Sequence, residues 1–471
     1  MNPSFPRTLL LNPALAMLML FAAAGASVAP AAGQRGTAQR RPNVLLILAD
    51  DFGYECVGAN GSASYQTPNL DRLAEGGARF THCYAAPLCT PTRVMLMTGR
   101  YNPRNYTRFG SLAQGEQTFA NTLKSAGYRT AVAGKWQLDG ARGQKPAQAG
   151  FDEYCLWNIG HAGESIGGDR YADPNLLVYD RTKGRPEVRK VLGGYCDDVC
   201  ADYLTEFMER SVREKQPFLA YFPMILTHGP FQPTPHSPEW KVGNRKQNDK
   251  RFFKDMVEYL DHVVGRVVKK LEALGVRDNT LILFTGDNGT GGGHVTRMKD
   301  GTQITGGKWE LTDAGTHAPM ITNWPGVIPP GRVVTDLVDL SDVLPTIADA
   351  TGAPLPRPPG DGVLDGRSFL PWMKGQLPDG ARRPREWVLI DFRYNGGKQE
   401  ERGVYDGRFA RDQRWKLYGF AADGRKLVRS GELYDLRSDP NETRPVSPGN
   451  ADGDAARLRL QAALSSVPAQ P

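Results

Sequence analysis

Apolar residues along the chain fall into two patterns. Continuous hydrophobic runs end in polar residues: NVLLILADD (43–51), YRTAVAGKW (128–136), PFLAYFPMILTH (217–228) and TLILFTGDNG (280–289). Uninterrupted runs of this kind predict strands buried on both faces, as in a parallel sheet. Between them stand helical patterns. TPNLDRLAEG (67–76) has a Thr to cap, a Pro at the first helical position and a Gly stop. FANTLKSAGY (119–128) and DLSDVLPTIADATG (339–352) read the same way, and FFKDMVEYLDHVVGRVVKKLEALG (252–275) is the clearest amphipathic helix. The alternation predicts an α/β fold for residues 41–375, a large mostly parallel sheet flanked by helices.

The pattern then changes. The Pro-rich APLPRPPGDG (353–362) is a surface loop, and MKGQLPDGARRPRE (373–386) marks a junction. Beyond it EWVLIDFRY, VYDGRFARDQRWKLYGF and GELYDLRSDP predict short strands joined by hairpin turns, one of them at Asp406-Gly407. A helix around residues 453–466 closes the chain, so residues 384–471 are expected to form a small antiparallel β subdomain. There are no internal repeats.

The N-terminus reads as a processing segment, residues 1–32. Arg7 supplies the positive start, LLLNPALAMLMLFAAAG the apolar run and SVAPAAG the small residues for cleavage. Asn12 and Pro13 interrupt the run and no second long apolar segment follows, so no stable membrane span is expected. The protein is expected to be exported, periplasmic or secreted. Six cysteines (56, 83, 89, 155, 196 and 200) are too few for a disulfide scaffold in a chain of 471 residues. Cys196 and Cys200 sit four apart in a predicted helix, which is poor disulfide geometry. The net charge of +7 is scattered, with no block of five like charges. No nucleic-acid-binding motif is present, so a nucleic-acid partner is not expected.

In a doubly wound sheet ligands bind at the carboxyl ends of the strands. There the chain places Asp50 and Asp51, Lys135, His228, and Asp287 with Asn288. Any one of these pairs alone is ordinarily a loop cap. Three carboxylates and an amide on one edge would repel unless a cation held them, and oxygen ligands suit Ca²⁺ or Mg²⁺ rather than zinc. Cys89 lies in PLCTPTRV (87–94), a polar turn with Arg93 four residues on. That is an unusual setting for a buried structural thiol.

These stretches together resemble the sulfatase family of the alkaline-phosphatase superfamily, over nearly all of the chain from Pro42 onward. CTPTR (89–93) matches the C-x-P-x-R signature, followed by VMLMTGRY, with NVLLILADD upstream and FTGDNG downstream. The resemblance implies an alkaline-phosphatase-like fold and a sulfuric-ester hydrolase. It implies that Cys89 is oxidised during export to Cα-formylglycine by a formylglycine-generating enzyme. It assigns Asp50, Asp51, Asp287, Asn288 and the oxygen at position 89 to one divalent metal, Ca²⁺ ahead of Mg²⁺. Arg93 would orient the formylglycine, Lys135 grip the sulfate, His228 contact sulfate and leaving oxygen, and Lys308 (in GGKWELTDAG) bridge sulfate and leaving group. A hydrated aldehyde offers two hydroxyls: one attacks sulfur, and the other then expels sulfate.

Three departures from the family pattern stand out. Thr92 replaces the usual Ser or Ala, and Asp313 and His317 stand where Glu and Arg are usual. GKWQLD puts Gln137 where the family has a histidine thought to take the second hydroxyl's proton, and a glutamine is no base at neutral pH. His294, in TGGGHVT, is the candidate replacement, and Gln137 and His294 are both expected to face the substrate. His161 is a further candidate for the substrate site, its ordinary reading being a surface histidine.

The alcohol half is expected to be a sulfated carbohydrate, small molecule or polysaccharide, rather than a small aryl ester. Trp415, Lys416, Tyr418 and Arg425 offer either a platform for it or merely an amphipathic strand. Two other readings compete: a formylglycine-dependent phosphonate or phosphodiester hydrolase, and a non-catalytic protein that binds sulfated glycans.

Overall fold

The computed structural model describes residues 41–469 except 141–142, 163, 378–382, 395–404, 422–423 and 425. The expected processing segment and Arg425 lie outside the described residues.

The described residues form one compact unit. Its main sheet has ten strands: β1 (Asn43–Ala49), β2 (Ala78–Phe80), β3 (Arg129–Lys135), β4 (Glu153–Trp157), β5 (Asn175–Tyr179), β6 (Glu187–Lys190), β7 (Phe218–Pro223), β8 (Thr280–Gly286), β9 (Met320–Asn323) and β10 (Arg332–Val334). Their order is β10-β2-β9-β8-β1-β7-β3-β4-β5-β6. The central strands β8, β1, β7, β3 and β4 run parallel, and antiparallel strands flank them. Continuous apolar runs are what such strands require, because both faces are covered. In β1, Val44, Leu46 and Leu48 enter one core, while Leu45, Ile47 and Ala49 enter the other. Each fully buried aliphatic side chain contributes roughly 1.5–3 kcal/mol.

Helices cover both faces. α1 (Pro68–Glu75), α4 (Cys196–Arg213) and α5 (Phe252–Ala273) feed one core; α2 (Cys89–Thr98), α3 (Phe119–Ser125) and α6 (Val343–Thr351) feed the other. Thr67 does not cap α1 with its side chain; its hydroxyl donates to Asp71 and accepts from the Gly58 N–H instead. All six cysteines are buried and free, Cys196 and Cys200 side by side on α4. Among the described residues no helix is long and apolar enough to cross a membrane.

The C-terminal sheet is antiparallel, in the order β11 (Val388–Phe392), β12 (Gly407–Arg411), β13 (Trp415–Tyr418) and β14 (Leu433–Asp435), with α7 (Ala451–Ser466) beside it. Leu389, Phe409, Leu417 and Leu460 share one continuous core with α2 and α6.

Three expectations are corrected. Asp406-Gly407 is not a hairpin turn: Gly407 opens β12, and the β12–β13 turn falls at residues 412–414. There the Asp412 carboxylate accepts from the N–H groups of Arg414 and Trp415, at 2.8 and 2.7 Å, and so builds the turn. The run 217–228 is regular strand only to Pro223, which pairs with Leu48. Beyond it the backbone stays tied to the end of β1, Met224 N–H donating to Leu48 O at 2.8 Å and Thr227 N–H to Asp50 O at 2.6 Å, but as an irregular loop that carries His228. Finally, Trp415, Lys416 and Tyr418 are no sugar platform, being at most 6 % exposed. Lys416 binds the Leu311 carbonyl and Glu442, and the Tyr418 hydroxyl donates to Glu442.

Candidate active site

Strand register brings the acidic pairs together. Ala49 pairs with Gly286, so Asp50-Asp51 and Asp287-Asn288 leave the sheet side by side. The Asp287 N–H donates to Ala49 O and the Asp51 N–H to Asp287 Oδ1, each at 3.0 Å. Lys135 is the last residue of β3. The residue before it must be glycine: Gly134 has φ +130°, and a Cβ there would lie 1.9 Å from the Pro223 carbonyl oxygen. That close approach lets Lys135 reach Asp50, its Nζ donating to both carboxylate oxygens at 3.0 and 2.8 Å.

Cys89 opens α2 and is 2 % exposed. One turn on, Arg93 donates to Asp287 Oδ2 through Nη2 (2.9 Å) and Nε (3.2 Å), and its Nη2 lies 3.6 Å from Asp50 Oδ1. The Cys89 thiol donates to Gln137 Oε1 at 3.3 Å. Ligand atoms of Asp50, Cys89 and Asp287 all lie within 4.8 Å of one another. Lys308 Nζ donates to Asp51 at 2.8 Å, and His228 Nε2 lies 3.7 Å from Asp51 Oδ2. His228 Nδ1 is 2.6 Å from the Gly229 carbonyl, which can only accept, so this nitrogen carries the hydrogen.

Burial and charge compete across the cluster. Burial pushes Asp50 up, but Lys135, His228, Arg93 and Lys308 outweigh it and hold the carboxyl well below the usual range. Asp51 is lowered in the same way, against burial, by Lys308 and His228. Asp287 goes the other way: burial and the Asp50 charge push it up to about 7 despite Arg93. Burial lowers His228 to about 4, so the ring is neutral at neutral pH. Asp51 and Gln137 hold left-handed backbone, φ 57° and 54°, which costs non-glycine residues about 1–3 kcal/mol each and recurs at functional sites.

The donor set fits a hard cation. Asn288 Nδ2 donates to Asp51 and to the Gly289 carbonyl, which leaves its Oδ1 buried with no partner beside the carboxylates. A cation there would satisfy that oxygen and relieve the carboxylate repulsion.

The remaining expected residues divide. Gln137 is at the thiol. His294 is not: its ring stacks on Phe253 at 4.0 Å, meets Phe231 edge-on and makes no hydrogen bond or ion pair with the cluster. His161 is half-buried on a small hairpin. Thr92 donates to the Ala86 carbonyl. Asp313 pairs with Arg411 at 2.7 Å; His317 stacks on Tyr54 at 4.1 Å and feels the Arg411 charge, so both lie at the junction with the C-terminal sheet. A cavity of about 430 Å³ opens beside Gln137, lined also by Asp139, Lys145, Asn158, Glu164 and Ser165. Sequence reasoning missed Arg170, whose Nη1 lies 3.6 Å from Asp50 Oδ2. It sits in an ordinary polar loop, GGDRYADPN, with no local signal.

The mostly parallel sheet thus carries, at the carboxyl ends of its strands, a buried acidic cluster with a thiol at a helix start. Residues 42–353 match the Sulfatase family model, and residues 308–467 match that of the N-sulphoglucosamine sulphohydrolase C-terminal region. The chain is 31% identical to arylsulfatase A of Homo sapiens, over 96% of this chain and 90% of that one. It is 32% identical to N-acetylgalactosamine-6-sulfatase of Mus musculus, over 73% and 68% of the two chains. Among solved structures, Ps i-CgsB superposes with a TM-score of 0.70 at 25% identity, covering 90% of this chain and 92% of that one. The chain belongs to the sulfatase family, and its activity is hydrolysis of sulfate esters.

Proposed function

We propose that the protein is an exported, formylglycine-dependent sulfatase that removes sulfate from a carbohydrate, with one divalent cation, Ca²⁺ ahead of Mg²⁺. The observation that carries this reading is the Cys89 thiol inside the same 4.8 Å cluster as Asp50 and Asp287. Asp50, Asp51, Asp287 and Asn288 would hold the cation together with the oxygen at position 89. When present, formylglycine supplies a hydroxyl nucleophile and a second hydroxyl for sulfate release, and the cation supplies Lewis acidity.

The chain's own groups do the rest. Arg93, fixed on Asp287, braces position 89 from within its own helix. Lys135 and Lys308 bring positive charge to where negative charge builds on the sulfate oxygens. His228 is neutral in the protein alone; a bound anion beside it raises its pKa and lets Nε2 carry a proton to the leaving oxygen. Gln137 accepts a hydrogen bond from position 89 and so orients it, but takes no proton. Asp287, which Arg93 holds within the same cluster as position 89, is the acceptor instead. This replaces the base role considered for His294. The cavity beside Gln137 and the relative named for N-acetylgalactosamine support a hydroxyl-rich leaving group.

Mass spectrometry of the tryptic peptide of residues 80–93 tests the reading, with Cys83 as internal control. From a formylglycine-generating host we expect an aldehyde at position 89, turnover of sulfated sugars and loss of turnover on chelation, restored by Ca²⁺. An unmodified thiol, in a host that converts another sulfatase, would leave only glycan binding.

A further inference from the structure

Arg170, which is not among the expected residues, is built into the site by an aromatic contact and an ion pair. Its guanidinium stacks over the Trp157 ring, 4.5 Å from the centroid. The Trp157 indole N–H donates to the Asp169 carbonyl at 3.1 Å, so the platform and the backbone just before Arg170 are tied together. The side chain is 17 % exposed, and Nη1 is closed off from solvent without a hydrogen-bond acceptor. Trp157 ends β4, and its neighbour Asn158 lines the cavity beside Gln137.

Charge balance gives this arrangement its meaning. Arg93 has Asp287 at 2.9 Å, Lys135 has Asp50 at 2.8 Å and Lys308 has Asp51 at 2.8 Å. Every carboxylate of the cluster is thus taken by a cation closer than Arg170, which approaches only Asp50, at 3.6 Å. Arg170 is the fourth basic side chain among three carboxylates, before any divalent cation is counted. A sulfate monoester brings one negative charge, which Lys135 and Lys308 already face. A rigid guanidinium fork with a buried free N–H matches a further planar or tetrahedral oxyanion, and stacking on an aromatic face holds the fork in place for it.

We propose that Arg170 is a specificity-determining residue that binds a second anionic group, a carboxylate or a second sulfate, on the alcohol half of the substrate. The preferred substrates are then dianionic sulfate esters. The inference rests on the sulfate-ester reading of the site.

Binding without turnover tests it. In the full chain carrying Cys89→Ala, calorimetry compares a monosulfated hexose with the same hexose bearing a second sulfate. The disulfated sugar should bind about tenfold tighter or better, the scale of one charge-assisted hydrogen-bonded contact. Arg170→Gln should bring that ratio close to one, and Arg170→Lys, which keeps the charge without the fork, should retain part of it. Circular dichroism melting of each variant confirms that it is folded. A ratio near one in the Arg170 chain, or a ratio that survives Arg170→Gln, overturns the proposal. So does an Arg170-dependent gain for a hexose phosphate monoester that the disulfated sugar lacks, which assigns the fourth basic side chain to a dianion at the reacting centre. If neither sulfated sugar binds, the sulfate-ester reading fails as well; if the monosulfated sugar binds and only the ratio is missing, that reading stands.

Discussion

Two buried clusters of this molecule pair carboxylates with guanidinium groups, and they differ in saturation. At the junction with the C-terminal sheet, Arg385 donates to Asp342 (2.5 and 2.8 Å), to the Tyr101 hydroxyl (2.7 Å), to Ser341 Oγ and to the Asp365 carbonyl. Tyr101 passes the chain on to Asp339 at 3.0 Å, and Asp339 in turn caps Ser341. Every guanidinium nitrogen there has a partner. At the strand ends, Asp50, Asp51 and Asp287 meet Arg93, Lys135 and Lys308, yet Asn288 Oδ1 and Arg170 Nη1 have no hydrogen-bond partner, Nη1 only approaching Asp50 at 3.6 Å. Two residues of that cluster hold left-handed backbone, and Asp287 sits near 7. Buried polar groups are almost always satisfied within a protein, so a cluster that keeps free lone pairs and donors is shaped for something besides the fold. Both clusters pair buried carboxylates with guanidinium groups; what distinguishes a site from a clamp is the unspent hydrogen-bonding capacity.

That contrast predicts opposite costs. Cys89→Ala should lower kcat by at least about 10⁴-fold, as loss of a nucleophile does, while its thermal midpoint stays close to that of the parent. Arg385→Ala should cost about 3–5 kcal/mol in urea unfolding, because it strands two buried carboxylates, with KM of the surviving enzyme unchanged. Lys135→Ala should lower kcat/KM by about 10²–10³-fold, the usual worth of one group facing developing charge. If it destabilised the fold as much as Arg385→Ala, the contrast between clamp and site would collapse.

The smallest effect concerns pH. Burial lowers His82 and His317 at the junction to about 4. The unfolded chain takes up protons below its ordinary 6.5, whereas the folded form refuses them until about 4. Stability should therefore fall as pH drops from 6.5 towards 4. Urea midpoints measured from pH 7.5 to 4.5 should decline, and less so after His317→Gln.

Much of the architecture was readable before any coordinates. β1 and β8 are continuous apolar runs of the kind that parallel strands need, and the polar pairs behind them leave the sheet side by side at one edge. The CTPTR stretch marked the helix start with its thiol. Misreadings arose where a neighbour in space decides. The apolar run of β7 continues past Pro223, but the regular strand does not: residues 224–227 follow the irregular backbone of Asp50 through separate hydrogen bonds, Asp50 N–H to Leu226 O and Thr227 N–H to Asp50 O. Asp-Gly at 406–407 has hairpin chemistry, yet Asp412 captures the turn with its own carboxylate. Trp415, Lys416 and Tyr418 alternate like a surface strand, and α7 and Glu442 cover them.

What the sequence determined by itself was periodic and local: which segments are buried on two faces, where helices start and stop, and which residues are chemically able to act. Hydrophobic periodicity and capping depend only on near neighbours along the chain, so they are written there. The tertiary structure alone decided which polar groups are satisfied. It put Gln137, not His294, at the thiol; it turned Asp313 and His317 into junction residues; and it brought Arg170 over Trp157 to the edge of the acidic cluster. Those outcomes depend on distances between residues far apart in sequence, and on a dielectric and a charge balance that exist only once the chain has closed around them.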